Sequence, residues 1–141
     1  MKKSLIYKES ELPQVINEVV EMLDSVSVIT LEGSLGAGKT TFSKALLKKL
    51  GVVEEVISPT FTYVNSYIGD NGVKIYHFDL YRLSSEEDFV DLGFDEYLYQ
   101  DNSLVLIEWP EIVYPLVKER VLKLKFDYDG IERRSLEMLK E

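Results

Sequence analysis

The chain contains no cysteine, and only one histidine occurs among its 141 residues. The lack of cysteine excludes disulfide bonds, cysteine-based zinc sites and thiol catalysis. No stretch approaches the roughly 20 apolar residues that a membrane-spanning helix needs. Basic residues are also few, because 16 Lys and Arg stand against 25 Asp and Glu. A broad, sequence-independent grip on DNA or RNA depends on clustered cations, so any role with nucleic acid is expected to be indirect.

Length and composition predict one folded domain over residues 1–141. The hydrophobic share of 45% is enough for a core, whereas 141 residues are too few for two full-sized domains. At the N-terminus, charged lysines precede any apolar run long enough for a signal peptide. We therefore expect a cytoplasmic protein with no membrane association.

Hydrophobic periodicity predicts alternating helices and strands in the first part of the chain. Apolar residues at helical spacing predict a helix over about residues 11–24. The β-branched and apolar run Val26–Leu31 predicts a buried strand that ends at Gly33. Helical spacing returns after Lys39 and ends at Gly51, a natural stop.

The remainder of the chain predicts further strands and two hairpins. Strands are expected over Val73–Leu80 and Leu104–Ile107, and a capping box at Ser84–Glu87 opens a short helix. Turn residues predict hairpins at Gly69–Gly72 and Asp129–Gly130. Together these elements predict an α/β fold.

One segment matches the phosphate-binding pattern G-x-x-x-x-G-K-[ST] in full: Gly33-Ser34-Leu35-Gly36-Ala37-Gly38-Lys39-Thr40. Its glycines let backbone amides point at phosphates, and the helix that follows offers its N-terminus to the anion. Lys39 is expected to reach the β- and γ-phosphates, and Thr40 to ligate Mg²⁺. Thr41 is either an adjacent phosphate contact or a helix cap. The alternative to a phosphate site is a glycine-rich turn with an ordinary surface lysine.

Two acidic residues compete to complete such a site. Glu108 follows a buried strand in the manner of a Walker B segment. Asp79 follows the run Lys74–Phe78, in which polar and apolar residues alternate. Both are expected at the edge of the sheet beside the glycine loop, where one holds the metal and the other positions water. Glu108 is ranked first as the metal-side acid. A surface or capping role is the alternative for each carboxylate.

Other polar and aromatic residues near these motifs remain open. His77 is read as a structural hydrogen-bonding residue rather than a catalyst. The hydroxyls of Ser58, Thr60 and Thr62 belong either to a nucleotide-sensing switch or to a simple turn. Trp109 either shapes the wall of the site or packs in the core.

Three motifs follow the glycine loop in order: Ser58-Pro59-Thr60-Phe61-Thr62, His77-Phe78-Asp79-Leu80-Tyr81-Arg82 and Ile107-Glu108-Trp109-Pro110-Glu111. Together with Gly33–Phe42 they resemble the bacterial TsaE, or YjeE, family, the ATPases of tRNA threonylcarbamoyladenosine biosynthesis. The match in order and spacing covers nearly the whole chain. The resemblance implies a P-loop NTPase fold with a central, mainly parallel sheet, flanking helices and peripheral hairpins.

The resemblance also implies a function and partners. Such an ATPase uses ATP and Mg²⁺, is weak alone and works with a threonylcarbamoyl transferase subunit and that subunit's inactive paralogue. Hydrolysis is thought to reset the complex between turnovers, while the partner modifies adenosine 37 of tRNA. Contact with tRNA is therefore implied only through the complex.

Site residues carry over by position. The phosphate-binding residues implied by the resemblance are Gly36, Ala37, Gly38, Lys39, Thr40 and Thr41. Thr40 and Glu108 are implied as Mg²⁺ ligands, with Lys39, Asp79 and Glu108 as the catalytic set. Glu9 is implied on the adenine side and Arg133 at another nucleotide contact. Ser34 departs from the Asp that the family often has there, at a position that supplies only backbone.

Two rival functions share the glycine loop. A small P-loop metabolite kinase needs a lid with several arginines, and the late residues Arg120, Arg133 and Arg134 make no obvious lid. A regulatory GTPase carries an Asn-Lys-x-Asp signature, and no asparagine in this chain is followed by lysine. The sequence thus favours ATP, with in-line attack of water on the γ-phosphate.

Overall fold

The structure is a computed structural model that describes residues 1–34 and 36–141. Leu35, in the middle of the predicted glycine loop, lies outside the described residues. The strands are β1 Lys2–Lys8, β2 Val28–Glu32, β3 Val64–Ile68, β4 Lys74–Asp79, β5 Ser103–Glu108, β6 Val121–Asp129 and β7 Arg133–Lys140. The helices are α1 Leu12–Glu21, α2 Lys39–Lys49 and α3 Glu86–Asp91, with 3₁₀ turns at Glu9–Glu11, Asp70–Gly72, Phe94–Tyr97 and Glu111–Leu116.

All seven strands form one sheet in the order β1-β7-β6-β2-β5-β4-β3. The four central strands β6, β2, β5 and β4 run parallel, and antiparallel pairs extend the sheet on both sides. Parallel strands are covered on both faces, which explains why Val28 to Leu31 are all buried. The expected α/β fold, with a central parallel sheet and peripheral hairpins, is confirmed.

Apolar side chains pack on both faces of this sheet. On one face, α1 buries Leu12, Val15, Ile16 and Val19 at helical spacing, and α1 packs against α2. Pro13 is tolerated because the first turn of a helix has no intrahelical partners for its amides. The other face carries a second apolar cluster around Phe78, Phe89, Val105, Ile107 and Val113. Each central strand is therefore held from both sides.

The local predictions hold with changes at the ends of elements. The helix expected over 11–24 is shorter and begins at Leu12. Ser85 caps α3, since its hydroxyl accepts a 3.1 Å hydrogen bond from the amide of Asp88. Both predicted hairpins are present, as the pairs β3–β4 and β6–β7. Within the described residues, no helix is both long and apolar enough to cross a membrane.

Strand β1 is not predicted from the sequence. Only Tyr7 of its side chains is buried, so it carries no strong alternation of apolar residues. The strand exists because it pairs along its whole length with β7 at the other end of the chain. Tyr7 stands opposite Arg134 in this pairing, and both residues line a depression together with Gly36 and Gly38 of the glycine loop.

Candidate functional site

The predicted loop and both predicted acids meet at one edge of the sheet. The glycine loop connects the end of β2 to the start of α2, while Asp79 and Glu108 end β4 and β5. These two acids are register partners on adjacent parallel strands. Because parallel strands all end at the same edge, the expected juxtaposition of loop and acids follows from the topology.

Two glycines give the loop its shape. Gly36 has φ +76° and Gly38 has φ +99°, a backbone region that side chains rarely adopt. A Cβ at Gly36 would also lie 2.5 Å from the hydroxyl of Tyr128. Helix α2 begins at Lys39, directly after Gly38, so its free amides face the same space. The loop is therefore built as an anion-binding turn.

Lys39 is folded back onto its own loop. Its Nζ hydrogen-bonds the carbonyl oxygen of Gly33 and lies 3.3 Å from the centroid of the Trp109 ring. The side chain is buried, and this burial lowers the pKa of Lys39 below the ordinary value, against the opposing pull of Glu108 and other acids. The amine is thus desolvated and held within reach of the cleft.

Trp109 forms one wall of the cleft. Its backbone has φ +58°, an uncommon conformation for a non-glycine residue, and its amide donates to the carbonyl oxygen of Leu31. The indole also packs against Tyr81, with 4.8 Å between the ring centroids. Trp109 therefore takes both roles that the sequence left open, since it lines the cleft and also packs against the second apolar cluster.

Glu108 is contacted by three side chains from two elements, helix α2 and strand β4. Its Oε1 accepts from the Thr40 hydroxyl at 3.2 Å, and its Oε2 lies 3.3 Å from the Ser43 hydroxyl and 2.6 Å from His77 Nε2. The carboxylate is only 2% exposed. His77 is therefore a hydrogen-bonding residue, as read from the sequence, and its partner is the candidate metal-side acid. Ser43 was missed, although its i+3 spacing from Thr40 places both on one helix face.

Asp79 is held by the loop around Pro59 and by the backbone of Tyr81. Its Oδ2 accepts from the Thr60 hydroxyl at 3.2 Å, and its Oδ1 accepts from the Tyr81 amide at 3.0 Å. The Ser58 and Thr60 hydroxyls are in turn 2.9 Å apart. The Pro59 loop therefore contributes two hydroxyls to the cleft.

These groups enclose a cleft of about 370 Å³. It is lined by Gly36, Gly38, Lys39, Thr40, Thr41, Ser58, Thr60, Asp79, Tyr81, Arg82, Glu108 and Trp109. Ala37 lies buried in the loop itself. The cleft thus brings together the predicted phosphate, metal and acid residues.

A smaller depression of about 100 Å³ lies on the other side of the loop. Glu9 lines it, as do Tyr7, Thr41 and Arg134, together with Gly36 and Gly38. Arg133 precedes Arg134 on β7 and projects from the opposite face, because successive strand side chains alternate. The structure therefore places Arg134, rather than Arg133, beside the loop. Alternation with the buried Leu136 and Met138 is the signal in the sequence that selects Arg134.

The oxygen atoms of Thr40 and Glu108 suit a magnesium ion. Thr40 and Glu108 offer a hydroxyl and a carboxylate side by side, and Mg²⁺ prefers oxygen ligands. In the part of the chain that the structure describes, no three His, Cys, Asp or Glu side chains cluster as a metal site. Mg²⁺ in phosphate sites needs no such cluster, since it is bound through one or two protein groups, phosphates and water.

Comparison with known proteins gives one consistent result. The sequence model of the family described as "Threonylcarbamoyl adenosine biosynthesis protein TsaE" matches residues 6–136. Among curated proteins named "tRNA threonylcarbamoyladenosine biosynthesis protein TsaE", that of Treponema pallidum is 46% identical over 95 residues, covering 67% of this chain and 68% of the relative. The Rickettsia felis protein is 36% identical over 124 residues, covering 87% and 71% respectively.

A curated sequence and a solved structure, both from Bacillus subtilis, extend this comparison. The TsaE protein is 38% identical over 109 residues, which cover 77% of this chain and 66% of that relative. The crystal structure of YdiB has a TM-score of 0.70 and 28% identity, covering 99% of this chain and 87% of that one. The fold is thus the P-loop NTPase fold, and the chain belongs to the TsaE family of threonylcarbamoyl adenosine biosynthesis proteins.

Proposed function

We propose that this chain is a Mg²⁺-dependent ATPase that supports formation of N6-threonylcarbamoyladenosine at position 37 of tRNA. The observation that carries the proposal is the meeting of Lys39, Thr40, Glu108 and Asp79 in one cleft beside a helix N-terminus. Family membership supports the pathway, and the relatives' names place those proteins in tRNA threonylcarbamoyladenosine biosynthesis.

In the proposed reaction, water attacks the γ-phosphate in line with the departing ADP. The loop amides and Lys39 stabilise charge on the phosphates, after Lys39 leaves the Gly33 carbonyl. Thr40 and Glu108 would hold a magnesium ion, which would neutralise phosphate charge there. Asp79 lines the same cleft as the glycine loop, and in this proposal it orients the attacking water.

The adenine side of the nucleotide is assigned to the smaller depression. Glu9 and Arg134 line it, and both lie next to the glycine loop. The guanidinium of Arg134 stacks on the Tyr128 ring with 4.7 Å between its carbon and the ring centroid, which fixes its direction. In this proposal Arg134 takes the nucleotide contact expected of Arg133.

The proposed partners are a threonylcarbamoyl transferase subunit and its inactive paralogue, in the cytoplasm. Within this proposal the chain acts as one domain whose hydrolysis resets that complex. The net charge of −9 is unsuited to gripping tRNA directly, so tRNA is reached through the partners.

Phosphate release with and without the purified partner pair tests the proposal. Wild-type turnover is expected to rise when the pair is added, while Lys39→Ala and Glu108→Ala lose about a hundredfold or more of that turnover. Lys44→Ala, an exposed lysine of the same helix, is the matched control. Near-normal stimulated turnover in both site variants would contradict the ATPase assignment, and phosphorylation of a small acceptor would favour a metabolite kinase.

A further inference from the structure

His77 has a buried contact that the proposed reaction does not itself require. It lies on β4 two residues before Asp79, so both side chains project from the same face of the sheet. The ring is fully buried, and its Nε2 lies 2.6 Å from Glu108 Oε2. This is the shortest of the contacts that Glu108 makes with Thr40, Ser43 and His77.

The other ring nitrogen identifies the tautomer. Nδ1 of His77 is buried and has no hydrogen-bond partner among the described residues. An N–H at Nδ1 would therefore be buried without an acceptor, which costs more than an unpaired ring lone pair. The geometry places the proton on Nε2, from which it is donated to Glu108.

The two oxygens of Glu108 are consequently not equivalent. Oε2 faces His77 and Ser43, whereas Oε1 faces Thr40 and the cleft. Ser43 has a single proton, and its hydroxyl is closer to the Lys39 carbonyl oxygen, at 2.9 Å, than to Glu108, at 3.3 Å. His77 is therefore the committed donor that fixes the orientation of the carboxylate.

We propose that His77 is a positioning residue, which holds Oε2 of Glu108 so that Oε1 and Thr40 together face the magnesium ion. The inference rests on the proposed Mg²⁺–ATP site. A hydrogen bond to the far oxygen of a ligating carboxylate fixes its rotamer, and loss of such a partner typically weakens metal binding. His77 touches neither substrate nor metal, and acts through Glu108 alone.

The amide side chains of Gln and Asn separate this role from simple packing. The amide nitrogen of Gln reaches about as far as Nε2 of histidine, whereas that of Asn reaches only about as far as Nδ1. We therefore compare His77→Gln, His77→Asn and His77→Leu. The readout is the ratio of dissociation constants for a non-hydrolysable ATP analogue in EDTA and in Mg²⁺, by titration calorimetry, with thermal unfolding of each variant alongside.

Wild type is expected to bind the analogue more tightly in Mg²⁺. His77→Asn and His77→Leu should lose about tenfold of this ratio, with binding in EDTA changed by about twofold at most, while His77→Gln should keep most of it. Tyr76→Phe, which removes a hydroxyl from the opposite face of β4, is the matched control. If either the Asn or the Leu variant unfolds, the ratio for the other one is compared with that for His77→Gln.

Three results would overturn the inference, and they distinguish loss of the positioning role from loss of the proposed metal site. An unchanged ratio in His77→Leu, or a lost ratio in a folded His77→Gln, removes the positioning role and leaves the proposed ATPase intact. A wild-type protein whose analogue binding ignores Mg²⁺ removes the proposed metal site, and the inference with it.

Discussion

Glu108 and Asp79 stand opposite each other at the ends of adjacent strands, yet they are supported in different ways. Glu108 is contacted by Thr40 and Ser43 of helix α2 and by His77 of strand β4, all parts of regular elements. Asp79 is contacted by Thr60 from an irregular loop and by the backbone of Tyr81.

This difference agrees with the different tasks proposed for the two acids. A metal ligand must be held in one orientation, and a carboxylate fixed from helix and strand satisfies that need. A group that positions water must respond to the bound triphosphate, and contact through a loop allows this. The side chains of Ile57 and Phe61 in the Pro59 loop are more than half exposed, which agrees with support by few contacts.

The largest effect is expected from replacing Asp79, the acid that the Pro59 loop supports. Asp79→Asn keeps the size and one hydrogen-bond acceptor but removes the negative charge that is proposed to orient water. We expect kcat to fall by about a hundredfold or more, with binding of an ATP analogue changed by about threefold at most. Steady-state phosphate release and calorimetry measure the two quantities. An equal loss of binding would move Asp79 to a metal-holding or structural role.

Glu108→Gln tests the other acid, which helix α2 and strand β4 support. The amide preserves the shape of the side chain but is a poor ligand for a hard cation. We expect the Mg²⁺-dependent gain in analogue affinity to fall about tenfold or more, and affinity in EDTA to be nearly unchanged. If Glu108→Gln kept this gain while Asp79→Asn lost it, the assignments of the two acids would be reversed.

Thr60→Ala examines how strongly the loop supports Asp79. The variant removes one hydrogen bond of about 1 kcal/mol, so kcat should fall about fivefold. Thr62→Ala is the matched control, because that hydroxyl lies in the same loop but donates to Asn65 of β3. Equal kcat values for the two alanine variants would show that the Thr60 contact contributes nothing to hydrolysis.

The smallest expected effect is on the pH dependence of the free energy of unfolding, measured without nucleotide. Burial lowers the pKa of Lys39 below the ordinary 10.5, so between the two values the unfolded chain binds more protons than the folded protein. Stability of the wild type should therefore rise relative to Lys39→Met as the pH approaches 10.5. Urea unfolding of both proteins from neutral pH upward measures this difference, and a constant difference would contradict the assigned cause.

Much of the fold was predictable because local patterns and topology agree. The run before Gly33 is rich in apolar and β-branched residues, and apolar residues after Lys39 recur at helical spacing, so the sequence predicts the strand, loop and helix of the site. Strand β1 was not predictable, because its stability comes from pairing with the distant β7 and not from its own hydropathy.

The site was predictable in its members but not in their contacts. The motifs identified Lys39, Asp79 and Glu108, while the partners of each acid depend on which side chains face one another across β4, β5 and α2. The choice between Arg133 and Arg134 shows the limit, since a shift of one residue on a strand reverses the face. Alternation with Leu136 would have selected the second arginine.

Because Lys39 contacts Trp109, the intrinsic fluorescence of the protein should report the position of the Lys39 side chain. Trp109 is the single tryptophan of the chain, and an ammonium group stands 3.3 Å from the centre of its ring. A cation over the face of an indole alters the electrostatic field that sets its emission. Movement of Lys39 from the ring to a phosphate would therefore be visible as a change in intrinsic fluorescence, without any attached dye.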